Sequence, residues 1–197
     1  FQINGQKRTL LDSGELGRYG RPILKDPEAG GSADWLLIES TYGNRLHAKD
    51  SEEELRKTIK ETAEQGSCLV IPAFAVGRTQ ELVYTIRMME DAGEIPVMPV
   101  HVDSPMGIEA TEIYCRHTDE HDFEMARLRD KESCAISSRH MVIHNTPEQS
   151  KSINSQKGPM IIISASGMAT GGRVLHHLKQ RLPSPDTTVL LVGYQAE

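Results

Sequence analysis

The sequence predicts an α/β fold in which a parallel β-sheet is flanked by helices. Short apolar segments alternate along the chain with segments of helical period, as in strand–helix–strand units. Several apolar segments are rich in β-branched residues and lack polar alternation, which indicates strands covered on both faces. The clearest is residues 160–163, after which small residues and glycines lead into a helical pattern.

The first part of the chain is predicted to form short strands and turns. Strands are expected at residues 9–11 and 35–38. A helix follows at residues 49–65, where Leu55 and Ile59 lie four residues apart among Glu and Lys side chains. This helix is the first long element of the chain.

From residue 68 onward, strands and helices alternate. Strands are predicted at residues 68–74, 97–102, 141–144, 160–163 and 188–192. Helices are predicted at residues 78–91, 105–117, 121–131, 147–155 and 174–182. Gly93 is expected to end the first of these helices, and Pro105 to lie in the first turn of the next. Alternation at this spacing predicts a parallel sheet with right-handed crossovers.

Composition excludes some classes of function. The net charge of -6 argues against a protein that coats nucleic acid through bulk electrostatics, although a local basic cleft is compatible with it. No apolar stretch approaches the length of a membrane helix, so no membrane partner is expected. The three cysteines, Cys68, Cys115 and Cys134, show no C-x-x-C spacing. They are interpreted as unpaired thiols in a reducing compartment, which predicts a cytoplasmic protein.

Polar and charged residues follow several predicted strands at the point where each strand ends, and ligands gather there in such sheets. These residues are Glu39, Arg78, Asp103, Ser104, Ser166, Gly167, Thr170 and Arg173. In the turn after residue 163, hydroxyls, free amides and a helix N-terminus would suit an anion. Together the set suits a phosphodiester backbone. An ordinary turn or helix cap is the alternative for each motif taken alone.

Two other chemistries fit less well. Ser166 lies at a strand–turn–helix junction, but its surroundings lack the G-x-S-x-G pattern, and His176 and His177 in the next helix are poorly placed for a triad. The eight histidines form no complete metal-ligand motif. Adjacent His176 and His177 cannot both face one site from a helix.

The motifs, in their order along the chain, resemble the β-CASP family of metallo-β-lactamase-fold nucleases, and most of all its bacterial RNA-processing branch. The matching segments are SGELGR at 13–18, LIESTYG at 37–43, IPAFAVGRTQ at 71–80, DSPM at 103–106, SGM to GR at 166–173, HHL at 176–178 and GYQ at 193–195. The resemblance covers nearly the whole chain.

The resemblance implies a Rossmann-like β-CASP domain at residues 39–197, truncated at its C-terminal end, after the end of a metallo-β-lactamase domain at residues 1–38. It implies RNA hydrolysis at two Zn²⁺ ions by a metal-activated hydroxide. Glu39 falls on an acidic motif that orients a zinc-ligand histidine. Glu15 stands where the family has a metal-bridging aspartate, and its extra methylene predicts an altered or lost metal role.

By the resemblance, the parent protein is expected to cut RNA. This chain alone is not expected to do so, because the family's histidine motifs lie outside it. By the same resemblance, single-stranded RNA is the expected partner, and a homodimer is plausible. The residues expected to hold RNA are Arg78, Asp103, Ser104, Ser166, Gly167, Thr170, Arg173 and one of His176 and His177. Two alternatives stay open: a catalytically inactive nucleic-acid-binding module or scaffold, which Glu15 favours, and a hydrolase or scaffold whose substrate is not RNA.

Overall fold

The structure is a computed structural model that describes residues 1–3, 5–44, 46, 51–129, 134–193 and 195. Its N-terminal part holds two small sheets. Strands β1 (Gln2–Ile3) and β2 (Gln6–Lys7) pair antiparallel, and β3 (Leu10–Asp12) pairs in parallel with β4 (Trp35–Leu37). The strands predicted at 9–11 and 35–38 are therefore present.

The main sheet has five parallel strands in the order β7-β6-β8-β5-β9. Its strands are β5 (Cys68–Pro72), β6 (Val100–Asp103), β7 (Met141–Ile143), β8 (Met160–Ser164) and β9 (Thr187–Val189). Every residue of β5, β6 and β8 is buried, as expected of apolar strands covered on both faces. This arrangement confirms the predicted fold class.

Helices cover both faces of this sheet. They are α1 (Ser51–Gln65), α2 (Arg78–Asp91), α3 (Pro105–Arg116), α4 (Phe123–Arg129), α5 (Pro147–Ser152) and α6 (Arg173–Arg181). One face packs Leu69 and Ile161 against apolar residues of α1, α2 and α4. The other packs Val70 and Ile162 against Ile153 and Val174. The sheet is thus the middle of three layers.

Some element bounds differ from those predicted. The helix expected at 121–131 begins only at Phe123, because His121 pairs with Leu24 in an isolated β-bridge and a 3₁₀ turn, Thr118–Glu120, precedes it. Residues 130 and 131 of that prediction lie outside the described residues, as do 49 and 50 of the first predicted helix. In the described ranges, no helix has both the length and the apolarity needed to cross a bilayer.

The interpretation of the cysteines is wrong for two of them. Cys115 and Cys134 form a disulfide, with their Cα atoms 5.6 Å apart, whereas Cys68 is a buried free thiol. The pairing has no local signal, because 19 positions separate the two residues and only the tertiary fold brings the end of α3 beside the segment after α4.

The segment between β3 and β4 packs against the five-stranded sheet and its helices. Ile23 is 1% exposed within the larger core cluster. Its carbonyl accepts the N–H of Asp122 at 2.9 Å, and the Lys25 N–H donates to the Glu120 carbonyl at 3.0 Å. This segment is therefore anchored on the domain that contains the five-stranded sheet.

The turn between β8 and α6 closes on its own backbone. The Val174 N–H donates to the Ala165 carbonyl at 3.0 Å, and the Ala169 N–H donates to the Ser166 carbonyl at 3.1 Å. Gly172 has φ 74°, and a Cβ at this position would lie 2.6 Å from the Ala165 oxygen. Glycine is required here for both reasons.

We expect Gly172→Ala to lower the free energy of unfolding by about 2 kcal/mol, because it adds left-handed strain and a backbone clash. Gly171→Ala is the matched control, since a Cβ there meets nothing within 4 Å. Urea denaturation of both variants measures the difference. Equal stability of the two variants would contradict this account of the turn.

Candidate functional site

A buried carboxylate lies where β6 ends. The Asp103 side chain is 0% exposed, and each of its oxygens accepts hydrogen bonds. Oδ1 accepts from Arg173 Nη1 at 2.7 Å, and Oδ2 accepts from Ser150 Oγ and from His177 Nε2, both at 2.6 Å. We name these four residues the Asp103 cluster. It gathers groups from β6, α5 and α6 at the carboxyl edge of the sheet.

Strand register explains why the cluster forms. β6 and β8 are neighbours, and Asp103 lies opposite Ser164. The Ser164 hydroxyl donates to the Asp103 carbonyl at 2.9 Å. The chain then turns and starts α6 with Arg173, so that Arg173 and His177, one helical turn apart, both face Asp103.

Arg173 uses three of the five N–H donors of its guanidinium within the protein. Besides Asp103, its Nη1 donates to the His144 carbonyl and its Nη2 to the Asn145 carbonyl, each at 2.9 Å. The guanidinium therefore joins β6 to the segment after β7 as a structural link.

The Asp103 carboxyl stays ionised inside the protein. Burial alone would raise its pKa, but hydrogen bonds from His177, Ser150 and Arg173 outweigh that effect and lower the pKa below its ordinary value. A carboxylate with this many donors is a stable anchor for the edge of the sheet.

A pair of histidines lies next to this cluster. Nδ1 of His101 is 2.9 Å from Nε2 of His144, and both rings are buried. One proton is shared along this contact, since one ring donates and the other accepts. Burial and the neighbouring His144 lower the pKa of His101 to about 4, and burial also lowers the pKa of His144.

The β8–α6 turn carries donors that have no acceptor in the described ranges. Ser166 and Thr170 make no side-chain hydrogen bond to any described residue; Ser166 is half-buried and Thr170 is exposed. The N–H groups of the half-buried Met168 and of the buried Gly167 likewise find no acceptor there. Gln195 Nε2 donates to the Gly167 carbonyl at 2.9 Å. The turn therefore offers hydroxyl and amide donors on a fixed backbone.

The backbone of Gly167 also lies close to Phe74, at the end of β5. A Cβ on Gly167 would lie 2.8 Å from Phe74 Cδ2 and 2.9 Å from its backbone nitrogen. Only glycine permits this approach. The turn after β8 and the segment after β5 are therefore held side by side.

Three other residues predicted to bind RNA each have a partner within the protein. Ser104 caps α3 by accepting the Gly107 N–H at 3.1 Å. Arg78 pairs with Glu81 at 2.9 Å. His176 Nε2 is 2.9 Å from Asn154 Nδ2, so the two adjacent histidines of α6 do have different partners. The RNA-binding roles of all the residues listed from the sequence stay predictions.

Glu39 organises the turn that contains Glu15. Its Oε1 accepts the Leu16 N–H at 2.8 Å, and its own N–H donates to Ser13 Oγ at 3.0 Å. Glu15 itself is exposed. The described residues contain no group of three or more His, Cys, Asp or Glu side chains that could hold a metal ion, so they do not by themselves fit a zinc centre.

Sequence reasoning missed two parts of this site. The sequence does not indicate that Ser150 belongs to the site, because nothing in a short helix shows that one serine faces a strand end. The sequence does indicate a special role for His101, since it is a polar residue between Val100 and Val102 inside a buried strand. A polar side chain there needs a buried partner, and His144 supplies it.

A comparison with models of protein families identifies the family of this chain. The model of the Beta-Casp domain matches residues 79–197, more than half of the chain. The chain belongs to the β-CASP family. The resemblance stated from the motifs is thereby confirmed.

Three relatives of this β-CASP chain are informative. A ribonuclease of Thermus thermophilus is 36% identical over 98% of this chain and 45% of its own length. An RNase J-like protein of Methanocaldococcus jannaschii is 32% identical over 100% of this chain and 45% of its own. A transcription termination factor of Methanosarcina mazei is 32% identical over 100% of this chain and 32% of its own. The chain thus spans less than half the length of these relatives.

Loss of the buried charge should destabilise this β-CASP domain. We expect Asp103→Asn to cost about 3 kcal/mol, because Arg173 would keep a partly buried charge without its anion. Asp91→Asn is the control: that carboxylate also accepts from two arginines, Arg87 and Arg139, but it is 33% exposed and water screens it. Urea denaturation should show a much smaller loss for the control, and equal losses would contradict the role of burial.

The histidine pair should make stability pH-dependent. An unfolded His101 takes up a proton near its ordinary pKa of 6.5, whereas the folded residue does so only near 4. Between these values the unfolded state binds more protons, so stability is complete above about pH 7 and falls by roughly 3 kcal/mol or less toward pH 4.

Unfolding midpoints of the wild type and His101→Gln, followed from pH 7 to pH 4.5, test this expectation. His101→Gln should flatten the dependence, and His117→Gln, at an exposed histidine that does not act on His101, should leave it as in the wild type. An equally steep dependence in His101→Gln would show that another group is responsible.

Proposed function

We propose that this chain is the RNA-binding β-CASP portion of a ribonuclease that hydrolyses RNA phosphodiester bonds. The names of two relatives, a ribonuclease and an RNase J-like protein, support this activity. Because the chain matches less than half of each, the activity belongs to the longer protein, and single-stranded RNA is its proposed substrate.

The observation that carries the proposal is the set of donors without a partner in the described part of the β8–α6 turn. They belong to Thr170, which is exposed, and to Ser166 and Met168, which are half-buried, and such hydroxyl and amide donors suit the oxygens of a phosphodiester. Neutral donors of this kind position a strand without reading its sequence. Arg173 and His177 contribute indirectly, because the Asp103 cluster holds the start of α6 in place.

We propose that the longer protein binds two Zn²⁺ ions, which would activate water and stabilise charge on the phosphate. Glu15 is the residue of this chain proposed to lie nearest the ions. Glu39 would fix the Glu15 turn through its bond to the Leu16 amide. Since the described residues hold no group of three metal ligands, we expect this chain by itself not to cleave RNA.

A second candidate is an RNA-binding relative without hydrolytic activity. Glu15 favours it, because a longer side chain at a metal-bridging position would change the geometry of the metals. A cytoplasmic location and homodimerisation stay predictions under either candidate.

RNA binding tests the proposed role of the β8–α6 turn. In the full-length protein, Ser166→Ala should weaken binding of a short single-stranded RNA by roughly tenfold, since a hydrogen bond to a charged phosphate is lost. Ser184→Ala is the control, because Ser184 is exposed in the turn after α6, at the opposite edge of the sheet. Fluorescence anisotropy at two salt concentrations measures both. Wild-type affinity in Ser166→Ala would remove the turn from the RNA site.

Cleavage separates the two candidates. Zinc-loaded full-length protein that cuts the same RNA supports the ribonuclease. If it leaves the RNA intact and Glu15→Asp restores cutting, the natural protein is the inactive binder. If neither protein cuts, the ribonuclease proposal fails.

A further inference from the structure

Two arginines bind one carboxylate on the α2 side of the carboxyl edge, and a third arginine lines the same cleft. Arg21 Nε donates to Glu81 Oε1 at 3.1 Å, and Arg21 Nη2 bonds to the other oxygen of the same carboxylate. Arg78 Nη1 donates to Glu81 Oε2 at 2.9 Å. Arg18 lines the same cleft as Arg21, Arg78 and Glu81. We name Arg18, Arg21 and Arg78 the arginine triad.

The triad carries more positive charge than Glu81 can balance. Glu81 is shared between Arg21 and Arg78, and Arg18 has no ion pair with any described residue. Burial, followed by repulsion from Arg21 and Arg78, lowers the pKa of Arg18, and Glu81 opposes this only in part. An added anion would relieve that repulsion.

Two arginines of the triad, Arg21 and Arg78, are held in place by their ion pairs with Glu81. Arg21 is two residues from the buried Ile23, and the side chains of Arg21, Arg78 and Glu81 are 28%, 32% and 22% exposed. Arginine side chains that are already ordered lose less entropy when they bind a ligand. Their planar, forked donors also match phosphate oxygens.

The triad lines a cleft of about 600 Å³. Glu52 and Glu54 line it as well, from α1, and neither forms an ion pair with an arginine of the triad in the described part of the chain. Gln195 also lines the cleft and donates to Gly167 in the β8–α6 turn. The cleft is therefore connected, through Gln195, to the turn that is proposed to bind RNA.

We propose that the arginine triad is a second phosphate-binding site, separate from the β8–α6 turn. Its ligand is a phosphate group, which an RNA backbone or a small free phosphate could supply. The RNA source rests on the proposed function, whereas the phosphate chemistry does not. Arg18 would bind the phosphate most directly, because it is exposed and unpaired in the described part of the chain.

Two measurements on the full-length protein test the site with Arg18→Gln. The first is the shift of the unfolding midpoint caused by inorganic phosphate, at ionic strength matched with chloride. The second is the salt dependence of binding to a short single-stranded RNA, whose logarithmic slope should fall by about 0.7 when one phosphate contact is lost. Arg127→Gln, at an exposed arginine that lies over Phe123, is the matched control.

We expect Arg18→Gln to reduce the phosphate shift and the control to keep it. A reduced RNA slope as well identifies the RNA backbone as the source, and an unchanged slope identifies a small free phosphate. Loss of the RNA slope alone also supports the site, as one occupied only by a polymer. If Arg18→Gln behaves like Arg127→Gln in both measurements, the proposal is overturned. RNA affinity lost in Ser166→Ala but not in Arg18→Gln would leave the proposed function standing without this site.

Discussion

The carboxyl edge of the sheet depends on one buried ionised group. Placing the Asp103 carboxylate in the interior costs solvation energy, and only a full set of donors offsets it. Those donors come from α5 and from two positions of α6, so the carboxylate ties both helices to the end of β6. The same bonds hold the start of α6 and thus the turn between β8 and α6. Asp103 therefore positions this surface turn although its own side chain is fully buried.

Much of the fold could be predicted because burial leaves a periodic trace in the sequence. The strands of the main sheet were found from apolar runs such as 160–163, and α2 was found with its observed bounds. Contacts between distant residues leave no such trace. Arg173 was predicted as a cation facing a ligand, but nothing in its neighbours reveals that Asp103 and two carbonyl groups accept its hydrogen bonds. The bond between Cys115 and Cys134 was missed for the same reason.

The distribution of charge shows how an acidic chain can still offer sites for an anion. Three consecutive glutamates lie in the first turn of α1, and two of them, Glu52 and Glu54, line the same cleft as the arginine triad. Within that cleft, positive charge is concentrated around Glu81. Because salt screens exposed charges beyond about 10 Å at 0.1 M ionic strength, a local concentration of arginines matters more to a ligand than the total. Summed charge therefore says little about which face of this protein meets an anion.

The strand order has a consequence for how the chain is made. β8 lies between β6 and β5, yet it follows both in the sequence by many residues. During synthesis, β5 and then β6 with β7 leave the ribosome before the strand that joins them exists. Until β8 arrives, their apolar residues, Leu69 and Val100 among them, lack the partner they pack against in the finished sheet. Such late, long-range pairing slows folding and prolongs the exposure of unpaired strand edges. A chain synthesised only as far as residue 159 therefore exposes the edges of β5 and β6 that β8 covers in the finished sheet.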